Sequence, residues 1–351
     1  MYPSPRRVAR FRGNPVKTPI PKRWAAIITG LAVLMLLSIA LALGVGTTAL
    51  SPSGIWNGIF GNTDTIESGI ILGIRLPRVI MGVAVGGALS VAGTLLQGLF
   101  RNPLVEPYTL GISGGASLGV CLCLLFGLPG LLGIVAFPLA GFAGAGTVIL
   151  LVYSLGMRSG SLRPNTMLLI GVMISFVSSS LVMLLMAVSR SDDLSNIVFW
   201  IMGSLDEPNR TLIKLVMGGS IAGLILSMFY SVKMNALTLG DEEASLLGID
   251  TVLTRKVLFV TASLLTGLSV SASGIIMFVG LIVPHFMRMF AGSDHRILIP
   301  SSFLAGACFL TLCDVIARVI ISPLELPVGV ITGIIGGIVF IYVLSQKRVA
   351  L

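Results

Sequence analysis

Long apolar runs alternate along this chain with short polar connections. A run of ~20 residues at ~1.5 Å per residue crosses the ~30 Å hydrocarbon core of a bilayer. The pattern predicts ten helical spans, near 25–50, 78–100, 108–128, 131–157, 163–189, 211–231, 252–272, 274–291, 297–319 and 326–346. Several runs are interrupted by glycine, so nine or eleven spans stay open as counts. The eighth run is the least regular, because Pro284, His285 and Arg288 fall in its second half. The expected fold is an all-α polytopic membrane bundle.

Composition supports that class. The 351 residues are 55% hydrophobic and only 11% charged, against roughly 25% charged in soluble domains. This excludes a soluble enzyme, a disordered chain and a disulfide-stapled secreted domain. Cys121, Cys123, Cys308 and Cys313 all lie in apolar runs, where cysteine acts as a small hydrophobe. The apolar stretch from Trp24 is too long for a cleaved signal and reads as a span.

Charge orients the bundle. The tail to residue 24 holds Arg6, Arg7, Arg10, Arg12, Lys17, Lys22 and Arg23 and no acid. With ten spans, only Arg75, Arg78, Arg190, Arg210, Lys214 and Arg318 of the 23 basic residues fall on the opposite side. The positive-inside rule then places both termini in the cytoplasm. The basic tail reads as an orienting, lipid-facing segment and not as a nucleic-acid arm.

Two hydrophilic stretches interrupt the apolar pattern. Residues 190–210 surround the run Ile197 to Met202 with Arg190, Asp192, Asp193, Asp206, Glu207 and Arg210, as expected of a helix lying on the outer surface. Residues 232–256 form the densest charge cluster, on the inner side. There Thr238 is placed to cap a short helix whose first turn carries Asp241, Glu242 and Glu243. Ala244 and Leu247 give that helix an apolar face, Gly248 ends it, and Asp250 caps the following span.

Motifs for chemistry are missing. No phosphate-binding G-x-x-x-x-G-K-[ST] or zinc-binding H-E-x-x-H occurs. Gly111-Ile-Ser113-Gly-Gly115 matches a nucleophile elbow in letters only, since it opens an apolar helix. Gly82 with Gly86, and Gly329, Gly333 and Gly337, form small-residue stripes suited to close helix packing. Asp314 and Arg318 are placed to pair at i,i+4. In the fifth span Ser175, Ser178, Ser179 and Ser180 mix with Met167, Met173, Met183 and Met186. That mixture suits either core filling or a pathway, with Met173, Ser175, Ser179 and Met183 as candidate lining residues. Residues 101–107, with Asn102 and two prolines, form a rigid turn or a constriction at a pathway mouth.

Six segments in order carry a resemblance. They are Arg75-Leu-Pro-Arg78, Asn102-Pro-Leu-Val-Glu-Pro107, Leu110-Gly-Ile-Ser-Gly-Gly115, Leu239-Gly-Asp-Glu-Glu-Ala-Ser-Leu-Leu-Gly248, Phe278-Val-Gly-Leu-Ile-Val-Pro-His285 with Arg288, and Glu325-Leu-Pro-Val-Gly329. Together they resemble the permease subunits of the iron-siderophore, heme and vitamin B12 ABC importers. The resemblance implies a 25–346 permease domain between a 1–24 basic tail and a 347–351 C-terminus, in the cell (inner) membrane. It implies a second permease subunit, ABC ATPase subunits that carry the ATP and Mg, and an extracytoplasmic solute-binding protein. No cofactor, metal or catalytic residue belongs to the chain itself.

By the same resemblance, Asp241, Glu242, Ala244, Leu247 and Gly248 lie in a coupling helix for the ATPase. Asn102 and Leu104 form a cytoplasmic gate, and Arg75, Arg78 and Arg318 meet acids of the binding protein. The implied cargo is a ferric siderophore, with vitamin B12 and heme as alternatives. A different class, an ion-coupled secondary transporter, requires membrane-embedded acids, for which Asp314 is the obvious candidate. An intramembrane enzyme would require a nucleophile–base or metal set, which the sequence lacks.

Overall fold

The computed structural model describes residues 20–46, 56, 58, 65–156, 164–207 and 209–346. Most of the basic tail, the C-terminal 347–351 and the 157–163 connection lie outside these. The described residues form helices α1 (Ile20–Gly44), α2 (Ile66–Leu99), α3 (Ile112–Leu125), α4 (Ala136–Gly156), α5 (Pro164–Val188), α6 (Ser191–Met202) and α7 (Arg210–Phe229). They continue as α8 (Ser231–Leu239), α9 (Asp241–Leu246), α10 (Thr251–Ser273), α11 (Val279–Ala291), α12 (His295–Val319) and α13 (Val328–Gln346). Seven of the described helices are long and apolar enough to span a membrane, and the shorter apolar α3, α11 and α13 complete the ten expected runs.

The second span begins earlier than the sequence suggests. Pro77 reads as a helix start, yet the helix runs back to Ile66 through a wide π-turn at Ile71–Arg75. Proline inside a helix removes a hydrogen bond and clashes with the carbonyl four residues back. The wide turn just before Pro77 gives the ring room, so Arg75 and Arg78 sit within the helix instead of at its mouth.

Helix α2 is the axis of the bundle and packs against α7, α10, α11 and α12. It approaches α11 and α12 closely: a Cβ on Gly93 would meet the Gly280 carbonyl oxygen at 1.8 Å, and one on Gly86 would meet that of Gly306 at 2.3 Å. The Gly82–Gly86 stripe therefore packs within the chain. In α13 the expected stripe is displaced: Gly329 is tight against the Met202 and Ile275 carbonyls, but Gly333 and Gly337 are loose, and Gly336 takes the close contact with Phe278. Helices α3, α4 and α5 pack together as a second group beside this core.

Two helices are short. At ~1.5 Å per residue, α3 and α11 are about 20 Å long, less than the ~30 Å apolar core. The irregular segments that precede them, 100–111 and 274–278, meet inside the protein, the setting in which non-helical backbone is tolerated at membrane depth.

Candidate functional site

At one end of the bundle, α8 and α9 are separated by Gly240, whose φ of +149° turns the chain sharply. This break replaces the expected cap: Thr238 instead bonds its own hydroxyl to the Asn235 carbonyl, and no side chain caps α9. Gly248, at φ +78°, ends the short helix as expected, and Asp250 Oδ1 accepts the Leu253 N–H at 2.9 Å. Ala244 and Leu247 do not share a face. Ala244 is fully buried against the bundle, whereas Leu246 and Leu247 are 88% and 64% exposed and project outward beside Glu242 and Glu243.

Asp241 ties this short helix down. Its Oδ1 accepts Arg101 Nη2 at 2.6 Å and Arg255 Nη2 at 2.5 Å. Arg101 also donates Nε to the Leu237 carbonyl at 2.9 Å. Arg101 carries no sequence signal for this role, because its partner lies 140 residues along the chain, whereas Arg255 lies 14 residues from Asp241.

Beside Arg101, Asn102 Oδ1 accepts the Leu104 N–H at 2.9 Å, which makes a tight turn and leaves Leu104 half-exposed at the same end. Further in, the Glu106 carboxylate accepts the Phe278 N–H, and Tyr108 Oη accepts the Ile276 N–H at 3.2 Å. Gln97 Nε2 donates to the Gly280 and Leu281 carbonyls, and Arg288 donates to Gln97 Oε1. Glu106 and Tyr108 thus satisfy N–H groups of the α10–α11 break, and Gln97, held by Arg288, satisfies carbonyls in the first turn of α11. Glu106 and Arg288 belong to the segments that carry the family resemblance, and Gln97 lies outside them.

The same end carries Asp294, which caps α12 through the Arg296 N–H and pairs with the Arg296 side chain at 2.6 Å. These bonds from Arg296 hold the Asp294 carboxyl down at about 2. Asn235 joins Asp294 to His295, whose Nδ1 lies 2.7 Å from Asn235 Oδ1.

At the opposite end, Arg75, Arg78 and Arg318 are 4%, 6% and 3% exposed, not an accessible fringe. Arg78 Nε reaches Asp314 Oδ1 at 2.8 Å and Arg78 Nη1 reaches Glu325. Arg318 Nε lies 3.0 Å from Asp314 Oδ2, the expected i,i+4 pair. Arg75 donates to the Leu43 and Gly44 carbonyls, and Arg318 to those of Ala42 and Val45. The ring of donors thus closes the end of α1 onto α2 and α12. Helix α6 lies against α3 through buried Ile197, as an amphipathic surface helix should. In the loop after it, burial raises the Glu207 carboxyl above its ordinary value, and nearby Asp206 adds to this.

The four candidate lining residues of α5 divide between two faces. Met173 lines an apolar groove of about 630 Å³ shared with Gly115, Gly119, Gly144 and Leu151 of α3 and α4. Ser175, Ser179 and Met183, four apart, form a separate stripe, in which Ser175 bonds back to the Gly171 carbonyl at 3.0 Å. The structure does not bring Met173 together with the other three.

Comparison with known proteins resolves the class. Residues 34–346 match the FecCD transport family. The chain belongs to that family. It is 37% identical to the hemin transport system permease protein HmuU of Yersinia pestis, over 91% of this chain and 96% of that one. Identity to the vitamin B12 import system permease protein BtuC of Vibrio vulnificus is 39%, over 93% and 96% of the two chains. The Fe(3+) dicitrate transport system permease protein FecD of Escherichia coli is 39% identical over 80% of this chain and 86% of its own length. A solved metal-chelate type ABC transporter in an inward-facing conformation superposes with a TM-score of 0.79 at 30% identity, covering 92% of this chain and all of that one. The FecCD chain is therefore a multi-pass membrane permease component of an ABC importer, and not an enzyme.

Proposed function

We propose that this FecCD-family chain forms the translocation pathway of an ATP-driven importer for an iron-siderophore complex. The ATP and Mg would be held by separate ABC ATPase subunits. The permease would pair with a second copy or a close paralogue and receive cargo from an extracytoplasmic solute-binding protein. In this reading both termini and α9 face the cytoplasm of a cell with the permease in its inner membrane. The 25–346 segment is the working domain, between the basic tail and the short C-terminus.

One observation carries the reading: α9 stands on a sharp glycine break and offers two neighbouring exposed leucines, Leu246 and Leu247, flanked by Glu242 and Glu243. An isolated apolar pair on a projecting, acidic helix is costly in water and suits insertion into a partner's cleft. Asp241 and Ala244 would anchor the helix to the bundle, with Gly248 ending it, and Leu247 would engage the ATPase. Asn102 and Leu104 would narrow the cytoplasmic mouth, while Met173, Ser175, Ser179 and Met183 would lie along the pathway. Because Arg75, Arg78 and Arg318 are buried, they would aid docking by shaping the outer end around Glu325, not by contacting the partner directly.

The secondary-transporter alternative gains no support, since Asp314 is held between two arginines. The decisive test is binding by the solute-binding protein encoded beside this permease, followed by uptake in vesicles holding the assembled transporter. Saturable, ATP-dependent uptake of a ferric siderophore supports the proposal. Selective uptake of vitamin B12 or heme would reassign the cargo, and ATP-independent uptake would overturn the importer mechanism.

A further inference from the structure

The short α9 helix and the 102–107 turn, read above as the ATPase contact and the gate, are joined by one side chain. Arg101 immediately precedes Asn102 and reaches across to both parts of the α8–α9 unit, with Nε on the Leu237 carbonyl at 2.9 Å and Nη2 on Asp241 Oδ1 at 2.6 Å. A guanidinium presents its donors in a rigid fork, so two simultaneous bonds fix direction as well as distance.

The backbone of Arg101 is itself unusual. Its φ is +49°, in the left-handed region that non-glycine residues seldom occupy. The turn is closed on the other side by Asn102 N–H to the Gln97 carbonyl at 3.1 Å and by Arg101 N–H to Gly98 at 3.3 Å. Such a conformation persists where surrounding contacts hold it. Asp241 is held independently by Arg255, which is buried on α10. A displacement of α9 therefore has a direct route to the residue next to Asn102.

We infer that Arg101 is the positioning residue that transmits movement of α9 to the Asn102–Leu104 turn, so that ATPase binding and gate opening are coupled through the Arg101–Asp241 bond. This rests on the proposed roles of α9 and the turn. Asp241 would act as a shared pivot: Arg255 keeps it on the bundle, and Arg101 carries its motion to the mouth.

The test uses the full permease assembled with its ATPase in nanodiscs, with Leu104→Cys as reporter. The native cysteines are all buried. The rate at which a thiol-reactive dye labels position 104 is compared without nucleotide and with ATP plus vanadate. With Arg101 present, the two rates should differ. Arg101→Gln should shrink that ratio about fivefold or more, the scale of a typical coupling energy, while the ATPase still co-purifies. Arg101→Lys retains charge but cannot fork between carbonyl and carboxylate, so it should give an intermediate ratio and also serves as the test should the Gln variant fail to assemble. Asp241→Asn is less informative because it also strands Arg255. An unchanged ratio in assembled Arg101→Gln and Arg101→Lys complexes would overturn the inference alone. A parent complex whose labelling ignores nucleotide would overturn the coupling and gate roles, and the inference with them.

Discussion

The Glu106 carboxylate accepts the backbone N–H of Phe278, 172 residues further along the chain. Phe278 is the N-cap of α11, at φ +68°, and an N–H at a helix start has no carbonyl of its own helix to donate to. Glu106→Ala should leave the N–H without a partner and destabilise the permease by about 1–3 kcal/mol. Glu106→Gln keeps an acceptor of nearly the same shape and should lose less. Thermal unfolding in detergent, followed by loss of monodisperse protein, separates the two.

Burial changes what is expected at Arg78. An exposed arginine whose charge is reversed alters partner binding, whereas a buried one disrupts the fold. Asp314→Asn leaves Arg78 and Arg318 with a neutral partner and should cost about 3–5 kcal/mol. Arg78→Glu, which sets three acids together, should fail to yield folded protein. Recovery of a monodisperse Arg78→Glu permease with parental melting temperature would show that the cluster does not hold this end together.

Leu247 is exposed, so its replacement should spare the fold. Leu247→Asp should leave expression and melting unchanged and sharply reduce co-purification of the ATPase, because a charge carried into an apolar cleft lacks a partner. Normal assembly in this variant would remove α9 from the coupling role.

The Asn102 turn can be opened without touching the helices. Asn102→Ala removes the acceptor of the Leu104 N–H, and adding Leu104→Ala shortens the projecting side chain. Vesicles carrying the double variant should leak cargo faster than parent vesicles when no ATP is present. Equal leak from intact protein would leave the segment as a structural turn.

Asp294 sets an acid limit. Its carboxyl sits at about 2 in the folded chain because Arg296 holds the ionised form, whereas an unfolded aspartate titrates near ~4. For an acid whose value is depressed by folding, the stabilisation is fully present above ~4 and is lost as pH falls toward ~2. Asp294→Asn should therefore melt lower than the parent at neutral pH and converge with it near pH ~2. Melting curves across that range check the sign.

The spans were legible because membrane helices are marked by length and apolarity, which need no knowledge of partners. Local signals were legible too: Asp250 caps and Gly248 ends a helix through groups within a few residues. Thr238 misled because Gly240 breaks the chain two residues later, and Pro77 misled because a wide turn accommodates it. What stayed hidden was long-range. The burial of Arg78 depends on Asp314, and the use of Arg101 depends on Asp241, and no spacing rule connects such positions.

The meeting of the 100–111 segment with the α10–α11 break also bears on biogenesis. The acceptors on Glu106 and Tyr108 leave the ribosome well before the N–H groups of Phe278 and Ile276 that require them. At ~5–20 residues per second, that interval is roughly ten to thirty seconds. The half of the chain that inserts first thus holds a prepared seat, on which the α10–α11 break relies for its Ile276 and Phe278 N–H groups. Insertion of that segment ahead of its template, as in a circularly permuted chain that starts after α9, would expose those groups to hydrocarbon and stall assembly at the break.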